Sequence, residues 1–235
     1  RRSSREHRRV TAEDSQRMAR LDLKVGFSCN NRCLFCVQGD KRSRERDRSG
    51  DEIRTILDEN KGGGGVVFTG GEPTLRKDLV ELVAYAKKLD YSPIQVQTNG
   101  RRVAYAPYIK ALVEAGMTEI SPALHGSRPE IHDGLTRAEG SFRQVVQGIK
   151  HAIALNLPVL TNTVVTQQNS KDLPNIAALL LRLGVRHIQY AYVHPAGTAG
   201  TLFQSVVPRF TDAVPYIQRG LDLIRAAGAR GCTEA

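Results

Sequence analysis

Six times along this chain a short run rich in β-branched and apolar residues is followed by a longer stretch of helical periodicity, and this alternation limits the fold more than any other feature. The strand candidates are Leu21–Phe27, Val66–Thr69, Ile94–Thr98, Glu119–Leu124, Val159–Val165 and His187–Val193. The helix candidates are Asp51–Glu59, Arg76–Leu89, Ala106–Ala115, Ser141–Leu155, Leu173–Leu183 and Thr211–Ala227. The second of these sets Leu79, Val80, Leu82, Val83 and Ala86 on one face, with Thr74 expected as its N-cap behind Pro73. Right-handed crossovers between parallel strands put the helices outside. Six units are fewer than the eight that close a barrel, so the pattern predicts an α/β chain forming a partial (β/α)6 TIM-like barrel with parallel strands. A flat doubly wound sheet fits the same pattern, because strand order is not written in one sequence. In both architectures ligands gather at the carboxyl ends of the strands.

Composition narrows the class. The 235 residues are 40% apolar and 25% charged, a balance that excludes disorder and collagen. No uninterrupted apolar run approaches the roughly 18–20 residues of a membrane span, and the Arg-rich start lacks the apolar segment of a secretory signal. A cytoplasmic protein without a membrane partner is expected. The net charge is +10, and residues 1–48 hold 14 basic and 7 acidic residues. Arg1, Arg2, Arg5, Arg8, Arg9 and the run Lys41–Arg48 raise a nucleic-acid reading. Interspersed acids and only 6% aromatic residues favour a solvated face instead. The second run also suits attraction of an anionic substrate or an acidic reductase. The expected organisation is a basic N-terminal extension over 1–20, a core over 21–228, and the start of a truncated or missing C-terminal extension over 229–235.

Cys29, Cys33 and Cys36 crowd into eight residues directly after the first strand, while Cys232 stands near the far end. Such clustering reads as metal binding. Structural zinc wants four ligands, and only His7 and His125 are arguable additions. A cubane iron–sulfur cluster normally takes four cysteines, so three would leave one iron with an open coordination position.

The C-x3-C-x2-C spacing, with Phe35 just before Cys36, resembles the signature of the radical S-adenosylmethionine superfamily. The resemblance implies a [4Fe–4S] cluster on Cys29, Cys33 and Cys36, chelated by the methionine end of S-adenosylmethionine. One-electron reduction then releases a 5′-deoxyadenosyl radical that abstracts hydrogen from substrate. Thr69-Gly70-Gly71-Glu72-Pro73 ends the second strand and is similar to the motif that holds the methionine amine in that superfamily. Gln97-Thr98-Asn99-Gly100 is another sequence common at its position, making Thr98 and Asn99 implied cofactor contacts. Ala123-Leu124-His125-Gly126 departs from the family pattern by lacking a hydroxyl at Ala123, so Ser121 is its implied substitute. Asn162 and Arg137 match polar positions around ribose and carboxylate, and Tyr192 an adenine contact. Each has a plainer reading: a bond within a barrel layer, a solvated loop charge, and core packing.

His125 and His132 are candidates for proton transfer, His125 being the catalytic candidate, although radical abstraction needs no side-chain base. The overall pattern, including Gly140-Ser-Phe and Thr163–Thr166, resembles the branch containing the molybdopterin-precursor cyclase and SPASM-type peptide-maturing enzymes. That implies an electron donor such as flavodoxin or ferredoxin and a peptide or small-molecule substrate. Rivals are an RNA-modifying member of the superfamily and a non-enzymatic iron–sulfur or zinc module. Gly62–Gly65 precedes a strand and lacks the Lys-Ser/Thr ending of a phosphate loop, so it is read as a connection.

Overall fold

The computed structural model describes residues 20–62 and 64–234. The basic cluster of Arg1 to Arg9, and His7, lie outside the described residues. Four strands, β1 (Arg20–Lys24), β2 (Gly65–Thr69), β3 (Ile94–Thr98) and β4 (Glu119–Pro122), pair in parallel and in chain order. Three more, β5 (Leu160–Val165), β6 (His187–Tyr192) and β7 (Arg230–Glu234), form a second parallel sheet. The two sheets meet at β4 and β5 through isolated bridges between Ile120 and Val159 and between Ala123 and Asn162. Together they make an open barrel arc whose free edges are β1 and β7.

The helices are α1 (Gly50–Glu59), α2 (Leu79–Lys88), α3 (Ala106–Glu114), α4 (Pro129–Thr136), α5 (Ser141–Ala154), α6 (Leu173–Arg182), the short α7 (Gly197–Thr201) and α8 (Phe203–Val206), and α9 (Phe210–Ala226). Their apolar stripes seal the outer face of the strands. Val66, Phe68, Ile94, Val96 and Ile120 are fully buried, as are Leu79, Leu82 and Val83 of α2 and Ile109 and Leu112 of α3. Each such side chain contributes about 1.5–3 kcal/mol through burial. None of the described helices is long and apolar enough to cross a membrane.

The structure departs from the sequence expectation in its added helices α4, α7 and α8, in several element boundaries and at the C-terminal strand. The first strand stops at Lys24 because the backbone of Phe27 and Ser28 turns to donate to Asp47 Oδ1, at 2.6 and 3.0 Å. Thr74 does not cap α2, which begins at Leu79 behind Asp78; Pro73–Leu75 forms a separate 3-10 turn in which the Glu72 carboxylate accepts from the Thr74 amide. Residues 230–234, to which the sequence assigned no strand, form β7 in register with β6.

Candidate active site

Beyond β1 the chain leaves the sheet and becomes a loop held from three sides. The Asp47 carboxylate takes the Phe27 and Ser28 amides. Partial burial pushes its pKa up, but these bonds and the Arg76 guanidinium outweigh that and hold it below the usual carboxylate range. From the α4 side, the Arg32 and Leu34 amides donate to Thr136 O at 2.9 Å and Leu135 O at 3.0 Å. From the β3 side, Arg101 donates to Asn30 O at 2.6 Å and Asn99 to Asn30 Oδ1 at 2.7 Å. The loop presents Cys29, Cys33 and Cys36 to a cavity of about 350 Å³ at the carboxyl ends of the strands.

All three thiols are half-buried and none forms a disulfide. Burial pushes the Cys29 thiol up, and pushes Cys33 up to about 12 with added repulsion from Cys29 and Cys36. The sulfurs thus lie within electrostatic reach of one another. Yet among the described residues no three His, Cys, Asp or Glu side chains are close enough to hold a single metal ion. His125 offers no free Nδ1, since that atom accepts from the Val164 amide at 3.2 Å. Among the described residues the cysteines thus lack the four converged ligands of structural zinc, and three separate thiols suit a polynuclear centre in which each sulfur has its own iron.

The Gly-Gly-Glu-Pro turn packs directly on this loop. The Gly71 and Glu72 amides donate to Gly26 O and Ser28 O, both at 2.8 Å. A Cβ on Gly71 would lie 2.3 Å from Ser28 O, and Gly70 combines a φ of +142° with a would-be Cβ 2.4 Å from Gly26 O. Glu72 turns away from the cavity. Its buried carboxylate accepts from Thr74 N, Thr74 Oγ1, Thr98 Oγ1 and Asn99 N at 2.6–3.0 Å. Desolvation raises its pKa against these bonds. Glu72 thus braces the β2 and β3 ends, leaving the backbone of Gly70 and Gly71 to face the cavity.

The other expected residues separate into two groups. Phe35, Thr69, Thr98, Asn99, His125, Asn162 and Tyr192 line the cavity with the cysteines. Thr69 donates to Gln97 Oε1 at 3.0 Å, Phe35 meets the His125 ring edge-on with centroids 4.5 Å apart, and Tyr192 stacks on Phe210 while donating to Pro208 O. Outside the lining, Ser121 is buried on β4, and Arg137 is an exposed left-handed residue ending α4. His132 lies behind His125, with its Nδ1 accepting from the His125 amide at 3.0 Å. Cys232 is exposed on β7.

Gln38 and Arg42 are among several lining residues, Asn31, Val37, Val164 and His194 included, that the sequence did not single out. Arg42 lies within the basic run Lys41–Arg48, and only its separation of six residues from Cys36 signals the approach in the sequence. Gln38 donates to Gly70 O at 3.4 Å, leaving its Oε1 buried without a partner, and the Asn162 Oδ1 is likewise buried and unpartnered. Gln38 and Asn162 thus bring polar side chains to the cavity lining while those two oxygens stay enclosed by protein. Val37, Val164 and Tyr192 supply apolar walls beside the polar Thr69, Thr98 and Asn99, a mix that suits an adenine together with ribose hydroxyls and an ammonium. The residues present fit both a three-thiolate cluster and S-adenosylmethionine.

Comparison with known proteins agrees with this geometry. The family model described as the Radical SAM superfamily matches residues 23–180. A protein of Saccharolobus islandicus named Probable GTP 3′,8-cyclase is 34% identical over 188 residues, covering 78% of this chain and 60% of the relative. Its counterpart in Saccharolobus solfataricus is 32% identical with the same coverage. The chain therefore spans about three-fifths of the length of these curated relatives. Streptococcus suis SuiB bound to S-adenosylmethionine superposes with a TM-score of 0.73 at 17% identity, covering 92% of this chain and 50% of SuiB. Native anSMEcpe with bound AdoMet gives 0.68 at 18% identity, with 91% and 63% coverage. At these identities the two structures share the fold.

Proposed function

The chain belongs to the Radical SAM superfamily, and on that premise we propose that its cavity carries a [4Fe–4S] cluster on Cys29, Cys33 and Cys36, with S-adenosylmethionine beside it, in an enzyme that abstracts hydrogen from a small-molecule substrate. The observation that carries the reading is the placement of three unbridged thiols on one cavity at the carboxyl ends of the strands, lined also by Gly70 and Gly71. When bound, the two groups supply one-electron reduction and a hydrogen-abstracting 5′-deoxyadenosyl radical.

The chain's own residues bind and orient. Asp47 fixes the start of the cysteine loop, and Glu72 fixes Thr98 and Asn99 at the cavity wall. Gln38 and Asn162 bring polar side chains to the cavity lining from opposite arcs of the barrel. Burial holds the His125 ring neutral, and because Nδ1 accepts from Val164 the ring proton sits on Nε2, a donor beside the cavity.

The name of the Saccharolobus relatives, Probable GTP 3′,8-cyclase, supports a purine nucleotide as the substrate class. Exposed Arg32, Lys41 and Arg44 beside the cysteine loop favour a polyphosphate's approach. A flavodoxin- or ferredoxin-type protein is the proposed electron donor.

Anaerobic reconstitution tests the reading. Four irons per chain and 5′-deoxyadenosine formation under a strong reductant are expected, whereas one equivalent of zinc without iron defeats it. Cys33→Ala is expected to abolish 5′-deoxyadenosine formation while leaving the circular dichroism spectrum unchanged. Deuterium passing from deuterated GTP into 5′-deoxyadenosine supports the nucleotide assignment; none passing, with cofactor cleavage intact, removes GTP from consideration.

A further inference from the structure

We propose that Arg42 sets how readily the centre held by Cys29, Cys33 and Cys36 accepts its electron. Arg42 sits in the 3-10 turn Lys41–Ser43, six residues beyond Cys36. Its guanidinium enters the cavity wall, where Nη1 donates to Asn31 O and Nη2 to Cys36 Sγ at 3.5 Å. Nε is buried without a partner. The other donors to these sulfurs among the described residues, the Asn31 amide and the Asn99 side chain on Cys29, are uncharged. Arg101, the other guanidinium reaching this loop, binds Asn30 O and Asn31 Oδ1 instead. Arg42 is thus a cation clamped on one side by a carbonyl and on the other touching a ligand sulfur.

The inference rests on the cluster reading above. In the step concerned, one electron passes from a low-potential protein donor of the flavodoxin or ferredoxin type, which is oxidised, to the centre, which is reduced. No bond forms or breaks and no proton moves, so the centre becomes one unit more negative. Net charge and hydrogen bonds to the sulfurs are what tune such potentials. A fixed cation in a partly buried wall favours the more negative state. Arg42 therefore eases reduction, and acts through Cys36 as a positioning and tuning residue.

Redox titration followed by electron paramagnetic resonance, on reconstituted wild type, Arg42→Lys and Arg42→Gln, tests this on the iron-loaded fraction of each. For Arg42→Gln the ratio of reduced to oxidised centre at a fixed potential is expected to fall at least about tenfold, equivalent to about 59 mV for a one-electron couple. Arg42→Lys, which keeps the charge but cannot grip both the carbonyl and the sulfur, is expected to fall by less. An unchanged or more positive potential in Arg42→Gln overturns the proposal. Should that variant load no iron, the decision passes to Arg42→Lys, where an unchanged potential overturns it. Lower iron content in both variants with the wild-type potential in the loaded fraction would mean that Arg42 only pins the loop. Failure of the wild type to load iron instead sinks the cluster reading itself.

Discussion

Glu72 shows how a buried carboxylate can serve a site it does not face. Its two oxygens take four donors from Thr74, Thr98 and Asn99. Glu72→Ala leaves them without acceptors in a dry environment, and a loss of roughly 2–4 kcal/mol is expected. Urea unfolding checks this; a midpoint equal to wild type would contradict the bracing role. His132 is the second residue whose burial has a measurable cost. Desolvation lowers its pKa to about 4, against a partial pull upward from Asp133. The unfolded chain therefore takes up the proton first, near pH 6.5. Stability is full above that pH and declines as pH falls toward 4, by at most about 1.4 kcal/mol per pH unit for this one group. His125, also lowered by burial, adds to the same decline. Unfolding midpoints between pH 7 and 4.5 are expected to fall less steeply in His132→Asn.

Among elements, the cysteine loop depends on what the β2 turn allows. Gly71→Ala would thrust a Cβ to 2.3 Å from Ser28 O, a backbone atom with little room to yield. Iron loading is expected to fall at least severalfold while the helical signal persists, as checked by iron analysis beside circular dichroism. The order of strands and helices was legible because apolar periodicity follows burial: Leu79, Leu82, Val83 and Ala86 repeat at three and four and are all buried. The three cysteines were legible from spacing. Thr74 does not cap α2 because it lies in the separate 3-10 turn Pro73–Leu75, where its hydroxyl donates to the Glu72 carboxylate instead of accepting from helix amides. β7 is not legible because Arg-Gly-Cys-Thr-Glu is exposed throughout and carries no apolar alternation, its register with β6 being set by backbone pairing. Arg42 and Asp47 were hidden in a run that looked like one solvated charge patch. One enters the cavity wall, the other collects backbone amides, and Arg46 beside them pairs with Glu52 of the α1 capping box. Charge alone does not reveal which members of such a run turn inward.

For the whole molecule, the join between the two sheets is the place where few ladder bonds operate. It relies on Ile120 N to Pro158 O at 3.0 Å, Leu124 N to Asn162 O at 3.1 Å, and Asn169. The Asn169 side chain is fully buried, accepting from Thr166 N and donating to His125 O at 3.0 Å and Val164 O at 2.9 Å, so it ties β5 to the end of β4. Asn169→Leu strips those bonds from both arcs, and a loss of about 3 kcal/mol is expected in denaturant unfolding. A loss below about 0.5 kcal/mol would show that the bridges hold without it. The cysteines hang from one arc, whereas Asn162 and Tyr192 stand on the other. An occupant touching both is therefore a keystone: it makes two jointed half-rings behave as one arch. Its arrival is expected to slow hydrogen exchange at the Ile120 and Leu124 amides, which carry the join.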